Sequence, residues 1–409
     1  QTSEKSADGQ NGTLEFILVN PPLDCPVCDK GGECPLQDLT FRYGPGNTRM
    51  TFPKRTFDKP IPISPLIALD RERCILCYRC TRFSGEVSED GQLIARDRGA
   101  QSVIATFEDE PYRGRFTGNV IELCPVGALT STPYRFEARP WEIQNVPSVC
   151  GMCPVGCNIS ATTREGKIKR ILSRNHPEVD GGWLCDKGRF AYSHLHAQDR
   201  VVDPLRKAAP RYDELSWDEA LDEAESLIRA AEGRIVTALS GSETVELAYA
   251  LGKLLRQGVG AHSALLPEPV DHSFDAYRAP LSTIRDADLV VVLGDEPVAE
   301  RAPIVDLWIR EARRNGAEIV RQSEADSELG GRLREAERAV LVVSGGDGAQ
   351  LAAAGGLERD GCAAFHLRQT ANGRGVADAW AAAADAEAEN PEPIGLLIVS
   401  GDEAAANPA

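Results

Sequence analysis

The sequence predicts a multidomain protein, α+β in its first half and α/β in its second. Three observations predict this. The chain has 409 residues, more than one ordinary core accommodates. Eleven of its 12 cysteines lie between Cys25 and Cys185, in short-spaced groups. Beyond about Asp203, apolar runs of strand length alternate with amphipathic helical segments. The hydrophobic share of 42% is that of a soluble globular protein, and 62 acidic residues stand against 45 basic ones. That balance argues against nucleic acid and against an anionic membrane surface as partners. No apolar run approaches the roughly 18 residues of a membrane span, so no direct membrane insertion is expected. The polar opening "QTSEKSADGQNG" lacks the apolar region of a signal peptide.

Cysteines grouped in this way in a long chain more often bind metal than pair as disulfides. The first group, in "NPPLDCPVCDKGGECPLQD", holds Cys25, Cys28 and Cys34 at C-x2-C-x5-C spacing. No fourth cysteine is within reach, and none of the six histidines precedes Cys25. Asp24, Asp29, Glu33, solvent or nothing at all remain as the fourth ligand of a cluster there.

The second group, "CILCYRC", sets Cys74, Cys77 and Cys80 at C-x2-C-x2-C. Such a loop lets three thiolates reach three irons of one cube and leaves backbone N–H groups for its sulfides. Where a bacterial ferredoxin would place its next cysteine this chain has Ser84. Cys124, followed by Pro125 in "CPVGAL", supplies a remote fourth thiolate. The pattern predicts a [4Fe–4S] cluster, with structural zinc as the bland alternative.

The third group, "CGMCPVGC", gives Cys150, Cys153 and Cys157, and Cys185 follows in "WLCDKGRF". Four thiolates at C-x2-C-x3-C-x27-C again suit a cube better than zinc, whose knuckles pair two C-x2-C units. Between them "NISATTREGKIKRILS" predicts a hairpin turning at Glu165-Gly166. Cys362 stands alone and is read as a core thiol.

In the second half, "SWDEALDEAESLIRAAEG" opens with a capping box at Ser216 and Glu219 and stops at Gly233. Its apolar face comprises Ala220, Leu221, Ala224, Leu227 and Ile228. "SETVELAYALGKLLRQG" and "IVDLWIREARRNG" predict further helices, the latter ending at Asn315-Gly316. "RIVTALS", "DLVVVLG", "EIV", "AVLVVSGG", "AAFHL" and "IGLLIVSG" predict strands. Short, wholly apolar strands between helices predict a parallel doubly wound sheet. "VADAWAAAADAEAEN" reads as a helix or a flexible insert. Neither "GDEP" (Gly294 to Pro297) nor "SGGDG" (Ser344 to Gly348) is a specific phosphate loop.

Taken in order, "EFILVNPPLDCPVCDKGGECPLQD", "RERCILCYRCTRFSGEV", "VIELCPVGALTSTPYRFEARPW", "VPSVCGMCPVGCNI" and "WLCDKGRF" resemble the G-type iron–sulfur subunits of bacterial respiratory complex I, the NADH:quinone oxidoreductase. The resemblance covers roughly the first half and continues more loosely through "RVVDPLRK" and "LSWDEAL". It implies small ferredoxin-like cluster-binding domains followed by a partial doubly wound domain resembling the molybdopterin oxidoreductases. In that family the first cluster is held by a His-x3-Cys-x2-Cys-x5-Cys motif. Here Pro21 stands at the histidine position, which points to an incomplete or [3Fe–4S] cluster at Cys25, Cys28 and Cys34. The expected division is an iron–sulfur domain at 1–140, a small β-rich [4Fe–4S] domain at 141–202, and a truncated, cofactor-free α/β domain at 203–409. The family's upstream [2Fe–2S] domain is not expected here, and the polar opening is read as the end of its linker.

The resemblance implies an electron-transfer subunit carrying electrons from NADH and flavin toward quinone in a translocating oxidoreductase. No catalytic residue and no independent catalytic centre is expected. Partners would be the flavin- and NADH-binding subunit and other peripheral-arm subunits, on the cytoplasmic face of the inner membrane. The alternative is a molybdopterin-dependent oxidoreductase such as formate dehydrogenase. The window from 255 to 280 offers it Ser263 and Ser273 but no thiolate, so no molybdopterin is expected. Lys187, in "CDKG", matches a lysine between cluster and pterin in those enzymes.

Overall fold

A computed structural model describes residues 2–261, 263–266, 272, 274–324, 326–345, 361–383 and 393–401. The chain forms two compact units, Gln1–Val149 with Cys157–Ser193, and Cys150–Gly156 with His194–Ala409. No helix among the described residues is long and apolar enough to cross a membrane.

The first unit begins with helix α1 (Glu4–Leu18), where the polar opening reads as a linker. Two features override the composition. The Ser3 hydroxyl accepts the Ser6 N–H at 3.3 Å and caps the first turn. At the far end Leu14 is buried and Glu15 grips Arg49. Helix α2 (Pro35–Tyr43) starts with Cys34 as its cap residue.

Strands β1 (Ile61–Pro62) and β2 (Ile67–Leu69) form a short antiparallel ladder. After β2 the chain makes the Cys74 loop, helix α3 (Arg79–Arg82) and a hairpin of β3 (Leu93–Arg96) with β4 (Val103–Thr106). It returns through helix α4 (Asn119–Leu123) to β5 (Leu129–Ser131), which pairs antiparallel with β2. This pairing, Leu69 opposite Leu129, explains how cysteines more than forty residues apart in sequence can share a site.

Ser84 is fully buried and pins this excursion. Its hydroxyl bonds Asp90 and accepts the Leu93 N–H at 3.1 Å. A three-stranded sheet of β6 (Gln144–Val149), β7 (Asn158–Arg164) and β8 (Lys167–Ser173) follows. The hairpin turns where the sequence predicts, with φ of 52° at Glu165 and 73° at Gly166, as a right-twisted two-residue turn requires. Helix α5 (Asp186–Phe190) begins at Cys185.

The second unit opens with the hairpin β9 (Leu205–Ala208) and β10 (Arg211–Glu214). Helix α6 (Trp217–Ala230) carries the predicted capping box of Ser216 and Glu219. None of its residues is buried, and Leu221 and Leu227 are exposed. The amphipathic pattern thus gives the helix, of whose apolar face Ile228 packs on the core around Ile235 while Leu221 and Leu227 stay exposed.

Beyond it the strands are β11 (Ile235–Leu239), β12 (Ser263–Leu265), β13 (Leu289–Leu293), β14 (Glu318–Gln322), β15 (Ala339–Ser344), β16 (Ala363–Leu367) and β17 (Leu396–Ser400). They form two parallel sheets, ordered β12-β11-β17 and β14-β13-β15-β16. Each sheet has its own core, one around Val291 and Leu341, the other around Ile235 and Trp380. The helices between include α7 (Val245–Gly252), α8 (Val298–Arg301), α9 (Pro303–Arg314), α10 (Ser327–Glu335) and α11 (Gly373–Ala382). Helix α9 ends at Asn315, and Gly316 takes a φ of 102°.

The β12-β11-β17 sheet depends on β17 returning to β11 across most of the unit, with Ile235 opposite Leu396. Ile235→Val trims one methylene from that core and is expected to cost about 1 kcal/mol in urea unfolding.

Candidate iron–sulfur centres

None of the twelve cysteines forms a disulfide. Cys74, Cys77, Cys80 and Cys124 line one cavity, whose other walls include Leu69, Ile104, Val126 and Leu129. The loop that presents the first three winds through left-handed residues, Leu76 at a φ of 52° and Tyr78 at 59°. Left- and right-handed residues in succession turn N–H groups toward a common point, as anion-binding nests do. The Leu76 N–H lies 3.4 Å from the Cys74 sulfur. Cys124 caps helix α4, and the next turn is held by the Asp70 N–H bonding the Ala128 carbonyl at 2.7 Å.

Burial pushes the Cys74 thiol up to about 11 and the Cys80 thiol up to about 12, with the neighbouring thiols adding to both. Burial also raises Cys124, while the N–H groups of Val126, Leu129 and Ala128 favour its thiolate. Four crowded thiols in an apolar cavity suit a positively charged inorganic core that takes up their protons' place. The donor set and the cavity fit a [4Fe–4S] cluster. Among the described residues no group of three or more His, Cys, Asp or Glu side chains is arranged to hold a single metal ion. A cube asks for wider spacing, because each thiolate binds an iron at a different corner.

The first motif lies against the second. A short 3-10 turn (Cys25–Val27) leads to Cys28, which is buried, while Cys25 is exposed and Cys34 intermediate. The Cys34 sulfur stands 3.5 Å from the Pro125 carbonyl. A Cβ built at Gly127 would overlap the Cys28 sulfur, so that sulfur rests directly on the backbone after Cys124-Pro125. Arg139 closes the turn from outside, donating to the Cys28 carbonyl at 2.7 Å. Gly31 is required too, since a Cβ there would stand 2.6 Å from the Cys25 carbonyl oxygen.

The three carboxylates left open as a fourth ligand have different fates. Asp24 accepts from Lys59 and Arg73, both at 2.9 Å; burial works against its charge, but these cations hold it below the usual carboxylate range. Glu33 forms a two-pronged ion pair with Arg170, both bonds 2.7 Å, and that guanidinium stacks on Tyr134. Asp29 is buried, accepts the Phe136 N–H at 2.9 Å, and is pushed up by burial. Pro21 lines a different cavity together with Asn20, Arg55, Cys74 and Leu76.

The four cysteines of the third motif are described within their own units. Cys150 and Cys153 belong to one unit, Cys157 and Cys185 to the other. Cys157 and Cys185 are buried. The Cys185 sulfur accepts the Gly188 N–H at 3.4 Å and caps α5.

The Cys185 loop is tied to the helix ending at Cys124. Asn119 donates to the Phe116 and Leu184 carbonyls at 2.9 and 2.8 Å and accepts from the Leu184 N–H at 3.2 Å. Asp186 accepts the Thr117 and Gly118 N–H groups at 2.9 and 2.7 Å. Arg189 pairs with Glu122. Asp180 gathers the N–H groups of Asn158, His176 and Gly182 within 3.0 Å and shapes the approach to Cys185.

Sequence reading finds the cysteines but not Gly127, Asn119, Asp180 or the cations around Cys28. A glycine inside the "CPVGAL" turn is the one available signal.

In the second unit, Ser263 is buried in β12, and Ser273 lies outside the described residues. Gly294 has a φ of 110°, and a Cβ there would overlap the Ser344 carbonyl, so "GDEP" is a strand-end turn packed on its neighbour. Of "SGGDG", residues 346–348 lie outside the described residues. Lys187 is exposed on α5, and Cys362 packs against the Val291 core.

Family models match in series along the chain. Residues 10–49 match the NADH-ubiquinone oxidoreductase-G iron-sulfur binding region, and 64–130 the ferredoxin-like domain of NADH-quinone oxidoreductase subunit 3. Residues 143–197 match the molybdopterin oxidoreductase Fe4S4 domain, and 200–329 the molybdopterin oxidoreductase model. The G-type NADH-quinone oxidoreductase subunit of Streptomyces coelicolor is 46% identical over 62% of this chain and 30% of its own length. That of Mycobacterium bovis is 40% identical over 86% of this chain and 45% of its own. The NADH-quinone oxidoreductase subunit 3 of Thermus thermophilus is 40% identical over 76% and 41%. The chain therefore spans less than half the length of these relatives. By the motifs and these matches, the chain carries in series the domains of G-type NADH-quinone oxidoreductase subunits, a family whose members also carry the name subunit 3.

Proposed function

We propose that this chain carries electrons within an NADH:quinone oxidoreductase, from a flavin- and NADH-binding partner subunit toward quinone. The observation that carries the reading is the apolar cavity walled by Cys74, Cys77, Cys80 and Cys124. Clusters bound at such sites supply one-electron redox chemistry without bond rearrangement. The chain's own residues hold them, exclude water and direct N–H groups at sulfur. No general acid, base or nucleophile is assigned.

Cys74, Cys77, Cys80 and Cys124 are assigned one [4Fe–4S] cluster, and Cys150, Cys153, Cys157 and Cys185 a second. Cys25, Cys28 and Cys34 are assigned an incomplete or [3Fe–4S] cluster, Pro21 offering no donor atom. The family match at 143–197 supports the second assignment, and the reading gives that cluster a stabilising role off the main electron route. The α/β region is assigned a scaffold role without pterin, since its sequence has no thiolate between 255 and 280. The chain would sit among peripheral-arm subunits on the cytoplasmic face of the membrane.

Anaerobic iron counting with EPR tests this. Two reducible cubes are expected, with an oxidised [3Fe–4S] signal that disappears in Pro21→His; Cys80→Ser should remove one cube. A colourless zinc protein would sink the proposal, and stoichiometric molybdenum or tungsten would favour the pterin enzyme. Three ordinary cubes in both parent and Pro21→His would leave electron transfer standing and show that another group completes the first site.

A further inference from the structure

Two cations lie between the first and second motifs, and each is on the opposite side from its own cysteines. Arg73 immediately precedes Cys74. Its side chain nevertheless turns back to the first motif, where Nη2 and Nε bond Asp24 at 2.9 and 3.1 Å. It is 8% exposed, and its Nη1 is buried with no hydrogen-bond partner among the described residues. Lys30 follows Cys28 by two residues. Its ammonium nevertheless reaches the second motif and donates to the Ile121 carbonyl at 3.1 Å, in the helix that ends at Cys124.

Gly127 marks where the two cross. A Cβ there would overlap the Cys28 sulfur and would stand 3.4 Å from Lys30 Cβ and 3.6 Å from Arg73 Cδ. A buried guanidinium N–H without a partner costs stability unless something accepts from it. Beside a buried thiolate site, the acceptor chemistry at hand is the sulfur of a bound cluster.

We propose that the two motifs exchange cations. Arg73 aims its unpaired Nη1–H at the cluster held by Cys25, Cys28 and Cys34 and raises that cluster's reduction potential, and Lys30 raises the potential of the cluster at Cys74 to Cys124. One-electron reduction adds one negative charge to a cluster with no bond made or broken, so a fixed cation nearby favours the reduced form. Asp24 and Asp70, which bracket Arg73, hold the guanidinium in place and partly offset its charge. The inference rests on the proposed function, because it requires clusters at both motifs.

Potentiometric titration followed by EPR, on the protein isolated with its natural partners, separates the two. The parent must first show both signals; their absence would overturn the proposed function rather than the exchange. With both present, Arg73→Gln is expected to lower the midpoint of the first-motif cluster more than that of the second. Lys30→Gln should do the reverse, and Lys30→Arg should restore the parent value. Each cation acting on the cluster of its own motif, or neither midpoint moving while both signals persist, would overturn the exchange. If Arg73→Gln does not assemble, the Lys30 variants decide the matter, since Lys30 is only half-buried.

Discussion

Gly127→Ala is expected to remove the first-motif cluster while leaving the chain folded. The glycine is not in a left-handed conformation, so alanine brings no backbone strain. The whole effect comes from a methyl group placed on the Cys28 sulfur. Overpacking an interior by one carbon costs about 1–3 kcal/mol when neighbours can adjust. Here they are poorly placed to adjust. The Cys28 carbonyl is held by Arg139 and by the Gly31 N–H at 3.0 Å, and Lys30 and Arg73 close the other sides. The sulfur must leave its ligating position, and a site with three thiolates cannot spare one. Iron per chain should fall by the content of that cluster, with its EPR signal lost. Gly85→Ala is the matched control, because a Cβ there meets nothing within 4 Å. Parent-like iron and signals in Gly127→Ala would refute the steric argument.

The cysteines that line the cavity of the second motif were legible in the sequence because ligand spacing within a loop is a local property. The capping box at Ser216, the Glu165-Gly166 turn and the Asn315-Gly316 stop were legible for the same reason. What was not legible depends on chain segments that meet far apart in sequence. Nothing near Arg73 says that its side chain abandons Cys74 for Asp24, 49 residues upstream. Composition suggested a linker at the start, but a serine cap and one buried leucine suffice for α1. Alternating strands and helices suggested one parallel sheet. Strand order is a tertiary choice, and the pairing of β11 with β12 and β17 gives these three strands a sheet of their own. The apolar stripe of α6 shows the opposite limit, a pattern that is present but covered only in part, at Ile228.

Asn119→Ala is expected to loosen the second motif from the Cys185 loop without touching a cysteine. Asn119 is 2% exposed. Its amide satisfies the Phe116 carbonyl and both backbone groups of Leu184, and its oxygen also accepts from Arg189 at 3.2 Å. Alanine fills none of these roles. Each buried group left unpaired costs about 1–3 kcal/mol, so the loss should reach about 3 kcal/mol or more. Asn119→Asp keeps the oxygen that faces Arg189 and the Leu184 N–H but turns a second acceptor oxygen on the Phe116 and Leu184 carbonyls, so it should not restore the parent stability. Because α4 ends at Cys124, the destabilisation should also speed iron loss from the Cys74 to Cys124 site on exposure to a chelator. Gly118, the preceding residue, reinforces the joint, since a Cβ there would overlap the Arg189 side chain. Thermal unfolding and chelation rates of the two variants would be compared with the parent. An unchanged Tm in Asn119→Ala would mean that the Glu122–Arg189 and Asp186 contacts alone hold the two loops together.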